Sequence, residues 1–93
     1  MQPTTLETIF AALTSANLGT ATMNEAGDLL TVKLQGASSF SAGFAIKGDK
    51  VIVRGWGGES SLKAGDKIGE RAVTSVRRML KSNVDFYASR AGV

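Results

Sequence analysis

The sequence predicts an α+β fold: an N-terminal helix, a four-stranded antiparallel β-meander and a long C-terminal helix packed on one face of the sheet. Three observations predict it. An apolar stripe with helical period opens the chain, apolar and polar residues alternate in the middle, and a longer helical stripe closes it. With 93 residues, 43% of them hydrophobic, the chain has the size and composition of a single domain over residues 1–93.

The first helix is predicted over residues 5–16. Thr4 and Glu7 have the spacing of a capping box, in which the two residues satisfy free amides at a helix start. The apolar stripe behind the cap consists of Leu6, Ile9, Phe10 and Leu13. Asn17 and Gly19 then end the helix, because both residue types tolerate the left-handed backbone conformation.

Four strands are predicted, over residues 18–24, 29–35, 39–47 and 50–56. Turn-forming residues separate them, and alternation gives the sheet one apolar face and one face of small, polar and cationic side chains. The second of these faces is expected to carry Thr31, Lys33, Ser41, Lys47, Arg54 and Trp56. The glycine-rich segment Gly55–Gly58 is interpreted as a flexible loop between the last strand and the last helix.

The last helix is predicted over residues 66–89, with Asn83 as a candidate break. Its apolar stripe, expected to cover the apolar sheet face, consists of Ile68, Ala72, Val73, Val76, Met79, Leu80, Val84, Phe86 and Tyr87. The opposite face carries the cations Lys67, Arg71, Arg77, Arg78 and Lys81.

Residue types that the chain lacks exclude much chemistry. There is no cysteine and no histidine, which excludes disulfides, thiolate metal sites, cysteine nucleophiles and the commonest general base. The carboxylates fall mostly in predicted turns or on helix surfaces, so we expect no enzyme activity, no metal and no cofactor. The lack of cysteine, of a signal peptide and of a long apolar run favours a cytoplasmic protein without membrane contact.

The distribution of charge suggests the leading function. Residues 62–93 contain seven Lys and Arg against three Asp and Glu (7 − 3 = +4), and residues 1–61 contain four against five (4 − 5 = −1). The leading hypothesis is therefore binding of nucleic acid, single-stranded DNA or RNA, through the basic helix face or the open sheet face. The candidate residues are Lys33, Lys47, Arg54, Trp56, Lys67, Arg71, Arg77, Arg78 and Lys81.

The same residues also have ordinary structural interpretations. The cations of the last helix also suit an ordinary solvated face, and a single Trp after a strand is often a packing residue. A second hypothesis is a protein-binding regulator or inhibitor, such as a phage-type protein that blocks a host machine, with Trp56 as its anchor. A homodimer is also expected, because so small a domain gains stability from self-association.

Overall fold

The computed structural model describes residues 4–56, 58–65 and 67–91. The elements are α1 (Thr5–Ser15), β1 (Thr20–Met23), β2 (Leu29–Gln35), β3 (Ser39–Lys47), β4 (Lys50–Gly55), β5 (Gly58–Lys63) and α2 (Ile68–Ala91). The strands form one antiparallel sheet in the order β1-β2-β3-β4-β5. The structure confirms the α+β class, the antiparallel sheet and the two flanking helices.

The fifth strand corrects the prediction of four strands and of a flexible loop that leads from the last strand to the last helix. Gly55 lies opposite Gly58 and Lys50 opposite Lys63, so the chain turns back along β4 in a tight hairpin. β5 was missed because it lies at the sheet edge and carries only one large apolar residue, Leu62, which leaves no alternating pattern. Gly57 of the predicted loop and Asp66 of the predicted helix start lie outside the described residues.

The structure shows the predicted stop of α1 and the Thr4 half of the predicted capping box. Thr4 Oγ1 accepts a hydrogen bond from the Glu7 amide at 3.1 Å, which satisfies a backbone donor at the helix start. Asn17 follows the helix in the left-handed region, at φ 56°. The stripe of α1 is buried at Leu6, Ile9 and Leu13, so α1 contributes one layer of the core.

Both helices pack on the apolar face of the sheet. The buried apolar side chains are Leu6, Ile9, Leu13, Leu30, Val32, Leu34, Ala42, Phe44, Val51, Val53, Ile68, Ala72, Val76 and Met79. The helices meet at Gly69, where an added Cβ would lie 3.1 Å from Ala12 Cβ. The glycine that weakens α2 as an isolated helix therefore permits the close approach of α1.

Asn83 does not interrupt α2 but fastens it to the sheet. Its side chain is fully buried, accepts a hydrogen bond from the Ser38 amide at 3.1 Å, and donates one to Ser38 Oγ at 3.0 Å. Beyond it, Val84, Phe86 and Tyr87 are exposed, so the predicted stripe covers the sheet only as far as Asn83. No described helix is both long and apolar enough to cross a membrane.

Replacing Asn83 by alanine should destabilise the fold by about 1–3 kcal/mol, because Ser38 loses both partners in a partly buried position. Urea unfolding measures the change. The matched control is Ser82→Ala, on the exposed neighbour of Asn83 in the same helix. Equal unfolding midpoints for the two variants would show that this contact does not anchor α2.

Candidate functional site

The structure distributes the nine predicted site residues over four places. Lys67, Arg71 and Arg78 line a groove between α2 and β5. Trp56 lies in an aromatic cluster at the end of that groove. Lys33, Lys47 and Arg54 lie on the open face of the sheet, and Arg77 and Lys81 lie on the part of α2 outside the groove. The predicted residues thus belong to several surfaces, of which the groove holds the densest group.

The groove, called the α2–β5 groove below, has a volume of about 460 Å³. Its cations come from α2 and from Lys67 directly before it, and its hydroxyl groups come from both walls. The hydroxyl-bearing lining residues with side chains on the helix side are Ser60, Thr74 and Ser75, and Thr74 Oγ1 donates to the Glu70 carbonyl at 3.0 Å. The Ser61 side chain lies opposite Ile52 on the open face. Among the described residues that line it, Glu70 is the one carboxylate, against three cations. The groove therefore offers hydrogen-bond donors in a positive field, which suits phosphate oxygens.

Helical spacing explains which cations line the groove. Arg71 and Arg78 are seven residues apart, so they share one side of α2, and Lys67, four residues before Arg71, directly precedes the helix on the same side. Arg77 and Lys81 follow a neighbouring row that faces away, and Lys81 Nζ pairs with Asp85 at 3.0 Å. Arg71 is also held against the sheet, because its Nη1 donates to the Lys63 carbonyl at 3.3 Å.

The β5 wall of the groove is an edge strand with unpaired backbone groups. The Ala64 amide donates to the Asp49 carbonyl, and this bond shows which residue pairs of β4 and β5 are hydrogen-bonded to each other. Bonds to β4 then fall on Ser60 and Leu62, and the backbone groups of the alternate residues Glu59, Ser61 and Lys63 point out of the sheet. The Lys63 carbonyl is one of these outward groups, and it accepts the bond from Arg71 Nη1. Backbone donors therefore add to the hydroxyls along this wall.

A second, shallower furrow of about 280 Å³ extends the groove towards the end of the sheet. It shares Ser60, Ser75 and Arg78 with the α2–β5 groove and reaches Trp56. Arg78 is therefore the cation that joins the two depressions.

The aromatic cluster comprises Phe40, Trp56, Phe86 and Tyr87. The centroid of the Trp56 ring lies 5.7 Å from that of Phe40, 5.5 Å from Phe86 and 6.0 Å from Tyr87. Phe86 is 43% exposed and Tyr87 38%, although both are large aromatic side chains. The molecule thus presents several aromatic rings at one end of a cationic groove.

The position of Trp56 corrects the expectation that it shares the open sheet face with Arg54. Trp56 is half-buried on the helix side, against α2 and Phe40. It follows the last residue of β4, in the hairpin turn, where the alternation of a strand no longer sets side-chain direction.

Sequence reasoning missed Phe40, Phe86 and Tyr87 as site residues and assigned them to the core pattern. The length of the last helix could have identified Phe86 and Tyr87. A 24-residue helix is about 36 Å long, whereas the longest strand, of nine residues, spans about 30 Å. The excess predicts that the last turns of α2 pass the end of the sheet and leave apolar residues partly exposed.

On the open face the three predicted cations are not gathered into one site. Arg54 Nε bonds Glu59 Oε1 at 2.7 Å, and this hydrogen bond raises the pKa of Arg54 while the carboxylate offsets its charge. Lys33 lies opposite Ser41, and Lys47 lies in a different row, opposite Lys50. The centre of the face is small and apolar, at Ala45 and Ile52.

Among the described residues, no group of three His, Cys, Asp or Glu side chains could hold a metal ion. Comparisons of the chain with known protein families, with curated proteins and with solved structures found no match. The chemistry of the α2–β5 groove and the aromatic cluster is therefore the basis for assigning a function.

Because Trp56 is the one tryptophan in the chain, its fluorescence reports on the aromatic cluster. Tyr87→Ala should shift its emission to longer wavelengths, since removing the neighbouring ring admits water to the indole. Val84→Ala, an exposed position on the same overhanging part of α2, should leave the emission unchanged. An unshifted spectrum in the Tyr87 variant would contradict the cluster.

Proposed function

We propose that the protein binds single-stranded nucleic acid along the α2–β5 groove, with phosphates on the groove cations and bases on the aromatic cluster. One observation carries this proposal: Arg78 lines both the groove and the furrow that reaches Trp56. Grooves that track a single strand combine a cationic channel for the backbone with aromatic rings for the bases. Here the two parts are continuous.

The shape of the site favours unpaired strands over a duplex. Stacking on Trp56 and Tyr87 needs bases whose faces are free, and a base pair inside a duplex has none to offer. From Lys67, which directly precedes α2, to Ser82 the groove and furrow extend over 15 residue steps, about 22 Å at the helical rise. That length suits roughly four nucleotides, the lower end of the range for such grooves.

The contacts that the groove offers are independent of base sequence. Ammonium and guanidinium groups, hydroxyls and backbone amides bind phosphate oxygens, which are the same at every nucleotide. Aromatic rings stack on any base. We therefore expect affinity that falls steeply with salt and depends little on sequence.

The alternative that the cations of α2 only form a solvated helix face suits Arg77 and Lys81 better than it suits the groove cations. Arg77 and Lys81 lie outside the groove, and Lys81 has its own acidic partner. Lys67, Arg71 and Arg78 instead share a concave surface with hydroxyl groups, which a merely solubilising row has no reason to line.

A protein-binding function is the second candidate, and the open edge of β5 favours it. An extended acidic peptide could add a strand to this edge. Trp56 does not support it in the way the sequence suggested, because the ring is half-buried and is not an exposed anchor on a flexible loop. Pairing of two copies through β5 would bring Arg71 and Arg78 of both copies together, so homodimerisation by this edge is opposed by charge.

Reversing two groove charges should weaken binding far more than reversing two others on the same helix. Arg71→Glu/Arg78→Glu and Arg77→Glu/Lys81→Glu change the net charge equally, from +3 to −1 (3 − 4 = −1). We expect a loss of ~100-fold in affinity for the groove variant and of ~10-fold or less for the control, because only the first removes direct phosphate contacts.

The measurement is fluorescence anisotropy with labelled oligo-dT, repeated across salt concentrations, with circular dichroism to verify folding. In the groove variant the slope of log affinity against log salt should fall by about 1.4, or about 0.7 for each lost contact. Equal losses of affinity in the two variants would show that the change in net charge alone explains the effect. Absence of binding by the unmodified protein at low salt would overturn the proposed function.

The edge strand gives a way to separate the two functions. The amide of Ser61 points out of the sheet, so Ser61→Pro keeps the bonds between β4 and β5 while blocking the addition of a strand. Binding of oligo-dT by this variant should remain within ~3-fold of the unmodified protein, since phosphates are held mainly by side-chain cations. Loss of binding comparable with that of the groove variant would favour strand addition as the mode of recognition.

A further inference from the structure

Three lysines form a row across one end of the open sheet face. Lys47 lies opposite Lys50, and Lys50 lies opposite Lys63, on three neighbouring strands. All three are exposed. Only Lys47 was a candidate from the sequence, since the register of the sheet is what brings the other two beside it. We call this set the lysine row.

The lysine row is electrostatically unfavourable in the free protein. Like charges directly opposite each other on neighbouring strands are destabilising. Lys50 and Lys63 also occupy a pair without mutual backbone bonds, where side chains come closest. Asp49, in the turn beside the row, makes no ion pair with any described residue. In the described part of the chain the ion pairs are Arg54–Glu59 and Lys81–Asp85.

Protection of a sheet edge explains only part of this arrangement. Lysine on an edge strand discourages pairing with other chains, and that suits Lys63 on β5. Lys47 and Lys50 lie on β3 and β4, which are paired on both sides. Their charges therefore protect no edge. Edge protection does not explain why Lys50 lies between two other lysines.

The lysine row adjoins the α2–β5 groove. Lys63 is the last residue of β5, and its carbonyl accepts the bond from Arg71 Nη1 at 3.3 Å. A cationic path therefore runs from Arg78 through Arg71 to Lys63, and then across the sheet to Lys50 and Lys47. Two strand spacings add about 10 Å to the path, beyond the 22 Å or so of the groove.

We infer that the lysine row is a second phosphate-binding segment, reached by a single strand that leaves the groove and bends round the end of β5 onto the open face. The inference rests on the proposed function and extends it. It assigns Lys50 and Lys63 to the site and makes the bound strand longer than the groove alone accommodates. Bound phosphates would also offset the repulsion within the row.

The test compares Lys50→Glu with Lys33→Glu. Both variants lower the net charge by the same amount, and both positions face the open side of the sheet, but Lys33 lies opposite Ser41 in a row away from the path. Anisotropy is measured with oligo-dT of four and of twelve nucleotides. For the longer oligonucleotide Lys50→Glu should lose ~10-fold in affinity and about 0.7 in salt slope, and Lys33→Glu should lose much less.

Two further readouts separate a binding role from a structural one. For the four-nucleotide ligand, which the groove accommodates, both variants should bind within ~3-fold of the unmodified protein. Lys50→Glu should also raise the melting temperature, because a carboxylate between Lys47 and Lys63 removes two repulsions. A more stable variant with weaker binding to the long oligonucleotide cannot be explained by damage to the fold.

The possible failures are distinguishable. If the unmodified protein binds and the groove variant does not, but Lys50→Glu matches Lys33→Glu on the long oligonucleotide, the lysine row is outside the path and the groove function stands. If the unmodified protein binds neither oligonucleotide at low salt, the proposed function and the inference fall together.

Discussion

Asn83 holds α2 at the point where the helix leaves the sheet. Its two hydrogen bonds to Ser38 lie at one end of the packed part of α2, and the close contact of Gly69 with Ala12 lies near the other. Between these points the orientation of α2 about its own axis is fixed. That orientation turns Arg71 and Arg78 towards β5 and leaves Arg77 outside the groove. It also carries Phe86 and Tyr87 past the end of the sheet to meet Trp56.

Much of the fold could be predicted from the sequence, because its local signals are strong. The boundaries of β2 and β3 agree with the structure, since half-buried strands produce a clear alternation. The cap at Thr4 gave the start of α1. β5 could not be predicted, because an edge strand of small polar residues has neither alternation nor β-branched residues to mark it.

The site was less predictable, because it depends on register and on helix rotation. Sequence reasoning found the cations of α2 by residue type but could not separate Arg71 and Arg78 from Arg77 and Lys81. The like-charged neighbours Lys50 and Lys63 become visible only once the hairpin register is known. Trp56 was placed on the wrong face because the strand was extended one residue into the turn.

Three features of the molecule reduce the stability of the free protein, and they surround the same groove. The lysine row repels itself, the end of α2 exposes aromatic surface, and β5 presents an unpaired edge. A small domain has little stability to spare, so three such features in one region need a common explanation. Under the proposed function, a single strand of nucleic acid would supply what each of them lacks: phosphates for the lysines, bases for the aromatic rings, and acceptors for the outward amides of β5. Any one feature has an ordinary explanation by itself. Their contiguity, together with one class of ligand that would satisfy all three, is the physical reason for proposing nucleic-acid binding at this surface.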